Sequence, residues 1–260
     1  MKKFWGFLLV IVLMTSCGEY QSLLKSNDYN LVYKKAIEYY NKGDYQRAMN
    51  LLDGVRSVFV GQAKAQNIAY YRAFCSYNMK DYQIASDLFK QFIQTYPESS
   101  FAEECLYMMG FCDYKASPKP RLDQQVTEKA IREFQLYLSR YPYSMRKDKV
   151  NTYMDEMRDK LSYKAYLSAK NYYLREHYKA AVISLQNCLK DYPGSKYREE
   201  IMYMLFVSKY QMAVNSVEDK KVERYNNARE EYYYFADEYP NSRYAADVKK
   251  MYEDIEAYLE

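Results

Sequence analysis

Four evenly built tyrosine–proline joints constrain this chain more than any other feature. Tyr96-Pro97, Tyr141-Pro142, Tyr192-Pro193 and Tyr239-Pro240 each end an amphipathic run. Each run opens on an alanine twelve residues before the proline: Ala85, Ala130, Ala181 and Ala228. Two residues after each proline stands a serine, Ser99, Ser144, Ser195 or Ser242. Proline fixes φ and donates no amide hydrogen, so a helix stops there. A serine just beyond can cap the free N–H groups of the next helix. Tyr-Pro-x-Ser thus predicts helix end, bend and restart, four times over.

The stretch Tyr70 to Pro97 shows the whole unit. Ala73 and Tyr77 share one face of a first helix, Asn78-Met79-Lys80-Asp81 makes a turn, and Tyr82, Ala85, Phe89, Phe92 and Tyr96 recur at the three-and-four spacing of a helix stripe. Ala73 and Ala85 are small where the two helices cross, since packed axes lie only about 8–10 Å apart. Ala48 opens a fifth second helix, with Phe59-Val60 in place of the proline. The motif NKGDYQRA at 41–48, with Ala36, Tyr39 and Tyr40 before it, resembles a tetratricopeptide repeat, a helical hairpin of about 34 residues. One hairpin cannot bury its apolar face alone, so neighbours stack. The expected fold is all-α: a tetratricopeptide-repeat superhelix of five helical hairpins plus a C-terminal capping helix at 242–260.

Residues 1–16 read as a leader outside that fold. Lys2 and Lys3 precede the apolar run Phe4–Met14 and a small-residue site at Thr15-Ser16, the pattern of a secretory signal. The run is shorter than the roughly 20 residues that span a bilayer. Cys17 after Thr-Ser resembles a bacterial lipobox, with Met14 at the apolar position three before it. The resemblance implies that Cys17 becomes the N-terminus and carries acyl chains such as palmitate. Gly18 rather than aspartate after it implies sorting to the outer membrane. Residues 17–30 would form a lipidated polar lead, 31–147 an N-terminal half of three repeats, and 148–260 a C-terminal half. The latter opens with a long connecting helix, or an added one, over Asp148–Tyr166. Pro118 and Pro120 place a surface loop between the helices of repeat three, and NSVEDKKVER at 215–224 is a second insertion. Gly110 and Phe206 take the small-residue place in repeats three and five, which predicts a wider crossing at Phe206.

Charge and composition narrow the function. Of 38 basic residues two lie in the leader, leaving 36 against 34 acidic, a balance with no nucleic-acid footprint. The only histidine, His177, falls in the turn where Asp44 and Asp81 stand in other repeats. No nucleophile–base set, phosphate loop or metal spacing emerges, so neither an enzyme nor a cofactor is expected. Cys105 and Cys112 lie two helical turns apart, too far for a disulfide. Cys75 with either is conceivable, but buried free thiols, Cys188 included, are favoured.

All 34 tyrosines lie beyond the leader. On the first helices of repeats one to three, one face reads Tyr33, Ile37, Tyr40, then Tyr70, Phe74, Tyr77, then Tyr107, Phe111, Tyr114, with Asn41 and Asn78 at its edge. Such a row can grip an extended peptide, with rings for area and amides for its backbone. The alternative is that the rings pack only between helices.

The lipobox, the repeats, the Tyr-Pro-x-Ser joints and the loop PRLDQQVTEKAIREF at 120–134, with Asp123 ahead of a helix, together resemble the BamD family. These are tetratricopeptide lipoproteins of the outer-membrane β-barrel assembly machinery. The resemblance implies a lipid-anchored protein on the periplasmic side of the outer membrane. Its N-terminal repeats would bind the C-terminal targeting segment of unfolded outer-membrane proteins, through the aromatic row above. Its C-terminal surface near Tyr173, Tyr203 and Tyr210, and the Asp123 loop, would meet a BamA-like barrel subunit. The rival is an envelope scaffold of Tol–Pal or peptidoglycan coordination. Relatives of that kind share the joints but usually carry a coiled coil and no lipid.

Overall fold

The computed structural model describes residues 18–260; the leader and Cys17 lie outside the described residues. Every element with named bounds is an α-helix. They fall in hairpins: α1 (Tyr29–Asn41) with α2 (Tyr45–Val55), α3 (Ala63–Asn78) with α4 (Tyr82–Thr95), and α5 (Ala102–Ala116) with α6 (Gln125–Arg140). Then come α7 (Lys147–Leu174) with α8 (Tyr178–Asp191), α9 (Arg198–Val214) with α10 (Glu218–Glu238), and the last helix α11 (Ala245–Leu259). The long connection is therefore one helix of 28 residues, with no added element.

The chain forms two compact units. The first holds residues up to 118 together with 123–154; the second holds 119–122 and 155–260. In the first, α1–α6 pack in chain order, each helix on the next. Its core runs from Val32, Ala36, Leu51 and Leu52 to Phe89, Phe92, Phe134 and Tyr137. In the second, Tyr166 and Ala169 of α7 pack with Ala181 and Leu185 of α8, and Phe206, Ala228 and Phe235 join Val248 and Ile255 of α11. Burying one large apolar side chain stabilises by roughly 1.5–3 kcal/mol.

The small positions explain how closely the hairpins cross. Ala36, Ala48, Ala73, Ala85, Ala130, Ala169, Ala181 and Ala228 are all fully buried. At Gly110 a Cβ would stand 2.9 Å from Cδ1 of the buried Phe134 ring, so α5 and α6 meet where only glycine fits without a shift. Phe206, in the corresponding place of α9, is itself fully buried.

Three hairpin turns share one backbone. Gly43, Lys80 and Glu176 have φ of 81°, 67° and 60°, each just before the first residue ahead of the second helix. The following amides of Asp44, Asp81 and His177 reach back to the carbonyls of Tyr39, Ser76 and Tyr172, the closure of a Schellman motif. One of the three has the residue that this left-handed conformation favours.

The joints do more than stop and restart helices. Each serine Oγ accepts from the amide two residues on, at Phe101, Arg146, Tyr197 and Tyr244, just ahead of the next helix. The same hydroxyls also bond side chains on the neighbouring first helix. Ser99 donates to Gln66, Ser144 to Glu103 and Ser242 to Glu199, while Ser195 accepts from Ser162. The serine is thus a clip between successive hairpins as well as a turn residue.

Two regions differ from expectation. Residues 18–30, expected as a polar lead, are helical over 18–24 and docked on the first hairpin, with Tyr20 and Leu23 in its core. The insertion at 215–224 is mostly helix: it leaves 215–217 outside and lengthens α10 to 21 residues. The charged Glu218-Asp219 at its start suits a helix N-terminus. The Pro118–Pro120 insertion is a loop, as expected.

Candidate functional site

The first helices carry a register that the sequence reading caught only in part. Tyr33 and Tyr40 flank Ala36, Tyr70 and Tyr77 flank Ala73, Tyr107 and Tyr114 flank Gly110, Tyr166 and Tyr173 flank Ala169, and Tyr203 and Tyr210 flank Phe206. In every case the tyrosines lie three before and four after the close-packed residue. They therefore share a face beside it, along the helix. Tyr166 is the member that reasoning from the sequence did not single out. The spacing Tyr-x-x-small-x-x-x-Tyr would have found it.

In the first unit the row is continuous. Tyr40 meets Tyr71 edge-on at 4.9 Å, Tyr70 lies 4.5 Å from Phe74, and Phe74 packs on Phe89 at 5.0 Å. Tyr77 reaches Phe111 at 6.2 Å, and Phe111 stacks on both Tyr107 and Tyr114. Tyr153, from the first turns of α7, closes the row against Tyr114 at 4.4 Å. Ile37 and Tyr33 pack at the other end, Tyr33 against Phe59. Most of these rings are half-buried; Tyr107 is nearly covered and offers only an edge. Asn41 is exposed, whereas the Asn78 amide is partly used, donating to Phe74 O at 2.9 Å and to the Tyr40 hydroxyl at 3.5 Å. Burial pushes the Tyr40 phenol up to about 12, and raises Tyr33, Tyr70 and Tyr107 as well.

The hydroxyls lead from each hairpin to the next. Tyr70 donates to Glu104 at 2.8 Å. In the second unit Lys170 Nζ donates to Tyr166 at 2.8 Å and to Glu200 of the next hairpin at 2.7 Å, Tyr203 donates to Asp247 at 2.6 Å, and Tyr210 to Asp254 at 3.1 Å. Tyr173 packs beside Tyr203 in the core of this unit. Burial, with Asp254, pushes Tyr210 up to about 12. Of the tyrosines expected to face a partner, Tyr203 and Tyr210 are thus already committed at their hydroxyls, which leaves ring surface for an outside contact.

Also in the second unit, Tyr163, Tyr166, Tyr197 and Leu167 line a recess of about 800 Å³ with Arg121 and Lys164 at its rim. Tyr166 and Tyr197 stack at 4.4 Å there. Asp123 of the first unit is exposed, and its Oδ1 accepts from Gln125 N at 2.9 Å, holding the start of α6. His177 is exposed in its turn ahead of α8. Among the described residues no His, Cys, Asp and Glu group could hold a metal ion. Cys75, Cys105, Cys112 and Cys188 are free and buried; burial pushes Cys75 and Cys105 up to about 12 and Cys188 to about 11. No described helix is long and apolar enough to cross a membrane.

Comparison with known proteins gives one family. The model of the YfiO family, described as outer membrane lipoprotein, matches residues 25–200 and again 165–259. No relative is found among curated proteins. Similar solved structures include the TPR2AB domain of yeast Sti1 in a complex with pHSP90, at 14% identity, TM-score 0.40, 88% of this chain and 98% of that one. Another is a TPR repeats protein from Bacteroides fragilis, at 13% identity, TM-score 0.43, 90% of this chain and 100% of that one.

Proposed function

This chain belongs to the YfiO family of outer membrane lipoproteins, the family of BamD, and from that premise we propose that it serves β-barrel assembly as a binding protein. It is held by acyl chains on Cys17 at the periplasmic side of the outer membrane. There its first unit receives extended segments of unfolded outer-membrane proteins. Its second unit, through the ring surface near Tyr173, Tyr203 and Tyr210, together with the Asp123 loop, meets a BamA-like barrel subunit.

The observation that carries the reading is the unbroken aromatic row from Tyr40 to Tyr114. Half-buried rings in contact form a rigid apolar strip, and a peptide laid on it loses little side-chain entropy of the receptor. The Asn41 amide at the edge is free to bond a peptide backbone.

The test is binding of peptides from the C-termini of outer-membrane proteins, measured by fluorescence anisotropy. Changing Tyr40, Phe74 and Tyr77 together to Ala is expected to weaken binding at least tenfold while capture of the barrel subunit persists. Unchanged peptide affinity would reduce the rings to packing. Capture of Tol proteins alone from solubilised envelope would favour the scaffold reading.

A further inference from the structure

The segment after the lipid site is built into the first hairpin. Residues 18–24 form a short helix whose Tyr20 and Leu23 are 8% and 5% exposed, in the core cluster with Val32, Ala36, Leu51 and Leu52. Polar contacts fix its position along α1 and α2. Glu19 pairs with Lys35 at 2.9 Å. The Asn50 amide donates to the Tyr20 hydroxyl at 3.0 Å. The Tyr20 ring meets Tyr39 edge-on at 5.9 Å, with the Arg47 guanidinium 5.3 Å from its centroid. Leu23 thus lies toward the start of α1, and Gly18 toward the turn Lys42-Gly43-Asp44.

We propose that this helix is a strut that seats the turn edge of the first hairpin, around Lys42, on the bilayer surface. The inference rests on the acylation of Cys17 proposed above. One peptide bond separates that residue from Gly18. A residue adds at most about 3.6 Å of reach, so no loose tether intervenes between lipid and hairpin. The far end of the hairpin, after Val55, stands about 16 Å further out, since α2 has 11 residues at about 1.5 Å each. The lipid then does more than localise the chain: it fixes which edge of the first unit faces the membrane and which faces away.

The experiment places a fluorophore at either end of this hairpin. Cys75, Cys105, Cys112 and Cys188 are buried, so a cysteine introduced by Lys42→Cys or by Ser57→Cys takes the label selectively. The full lipidated protein is reconstituted in phosphatidylethanolamine–phosphatidylglycerol vesicles that carry a headgroup spin label. Quenching is expected to be at least threefold stronger at position 42 than at 57. Undocking the strut by Tyr20→Ala with Leu23→Ser should bring the two values together while the protein still floats with the vesicles. Equal quenching at 42 and 57 in the otherwise native, floating protein would overturn the strut alone. Failure of that protein to float would overturn the acylation of Cys17, and the strut with it.

Discussion

Replacing Glu133 by glutamine probes the buried charge cluster of the first unit. Asp113 of α5 and Glu133 of α6 are almost wholly buried. Lys129 Nζ lies 2.9 Å from Asp113, 3.7 Å from Glu133 and 3.8 Å from Asp87, and Ser86 Oγ donates to Asp113 at 2.9 Å. One ammonium therefore serves three carboxylates, and Glu133 Oε2 is buried with no hydrogen-bond partner. Burial, followed by the neighbouring Asp113, pushes Glu133 up from 4.5 to about 8. A carboxyl with a raised folded pKa binds its proton more tightly in the native state. Its contribution is fully present below the unfolded value and is lost as pH climbs from about 4.5 to about 8. At about 1.4 kcal/mol per unit, that loss is on the order of 5 kcal/mol. Glutamine keeps the shape and cannot ionise, so the loss should vanish. Lys129, which burial alone would lower, is held above its ordinary value by Asp113 and Glu133, and keeps its charge throughout this window. Glu200 and Glu238, whose pKa values are lowered, titrate alike in both proteins and cancel in the difference. Urea unfolding followed by circular dichroism at pH 5 and pH 9 reads the effect. Glu133→Gln should gain several kcal/mol over the native chain at pH 9 and little at pH 5. Parallel pH dependence in the two proteins would refute the reasoning.

Three further outcomes are expected. Gly110→Ala should destabilise the first unit by about 1 kcal/mol, because overpacking against Phe134 costs roughly 1–3 kcal/mol and outweighs the roughly 1 kcal/mol gained in helix propensity; thermal melting would show it, and a rise in Tm would contradict it. Lys80→Gly and Glu176→Gly should each raise stability by up to about 1 kcal/mol by relieving positive φ, whereas Gly43→Ala should lower it by a similar amount. Ser144→Ala removes an acceptor for Arg146 N and a donor to Glu103, and should cost about 1–2 kcal/mol in a denaturant titration, with the 143–147 amides exchanging faster by mass spectrometry.

What the sequence made legible was whatever repeats. The prolines, the buried alanines and the tyrosine spacing each report the same close crossing from several places, so the hairpins and the aromatic row could be drawn before any coordinates. The docked lead could not. Tyr20 and Leu23 give a single three-residue interval, too short to establish a period, and their partners lie on α1 and α2. The Asp113–Lys129–Glu133 cluster was hidden for a related reason: its members stand on two helices separated by the Pro118–Pro120 loop. The serines were read as local turn residues because their second bond, to a side chain more than thirty residues away, leaves no local trace. The start of α10 falls outside the repeat and so reads as an insertion, although nothing in its composition opposes a helix.

The forward bonds of the tyrosines give each unit a direction. Tyr70 is completed by Glu104 of the hairpin that follows, Tyr166 reaches Glu200 of the next hairpin through Lys170, and Tyr203 is completed by Asp247 of α11. A hairpin made without its successor would leave those hydroxyls unfinished. In the second unit α11 supplies Asp247 and Asp254, the acceptors of Tyr203 and Tyr210. Trimming the last fifteen residues would therefore strand two phenols and uncover the apolar contacts of Val248 and Ile255 at one stroke. Limited proteolysis of such a shortened chain should cut α9 and α10 faster than in the full chain, because their apolar faces lose the cover of α11.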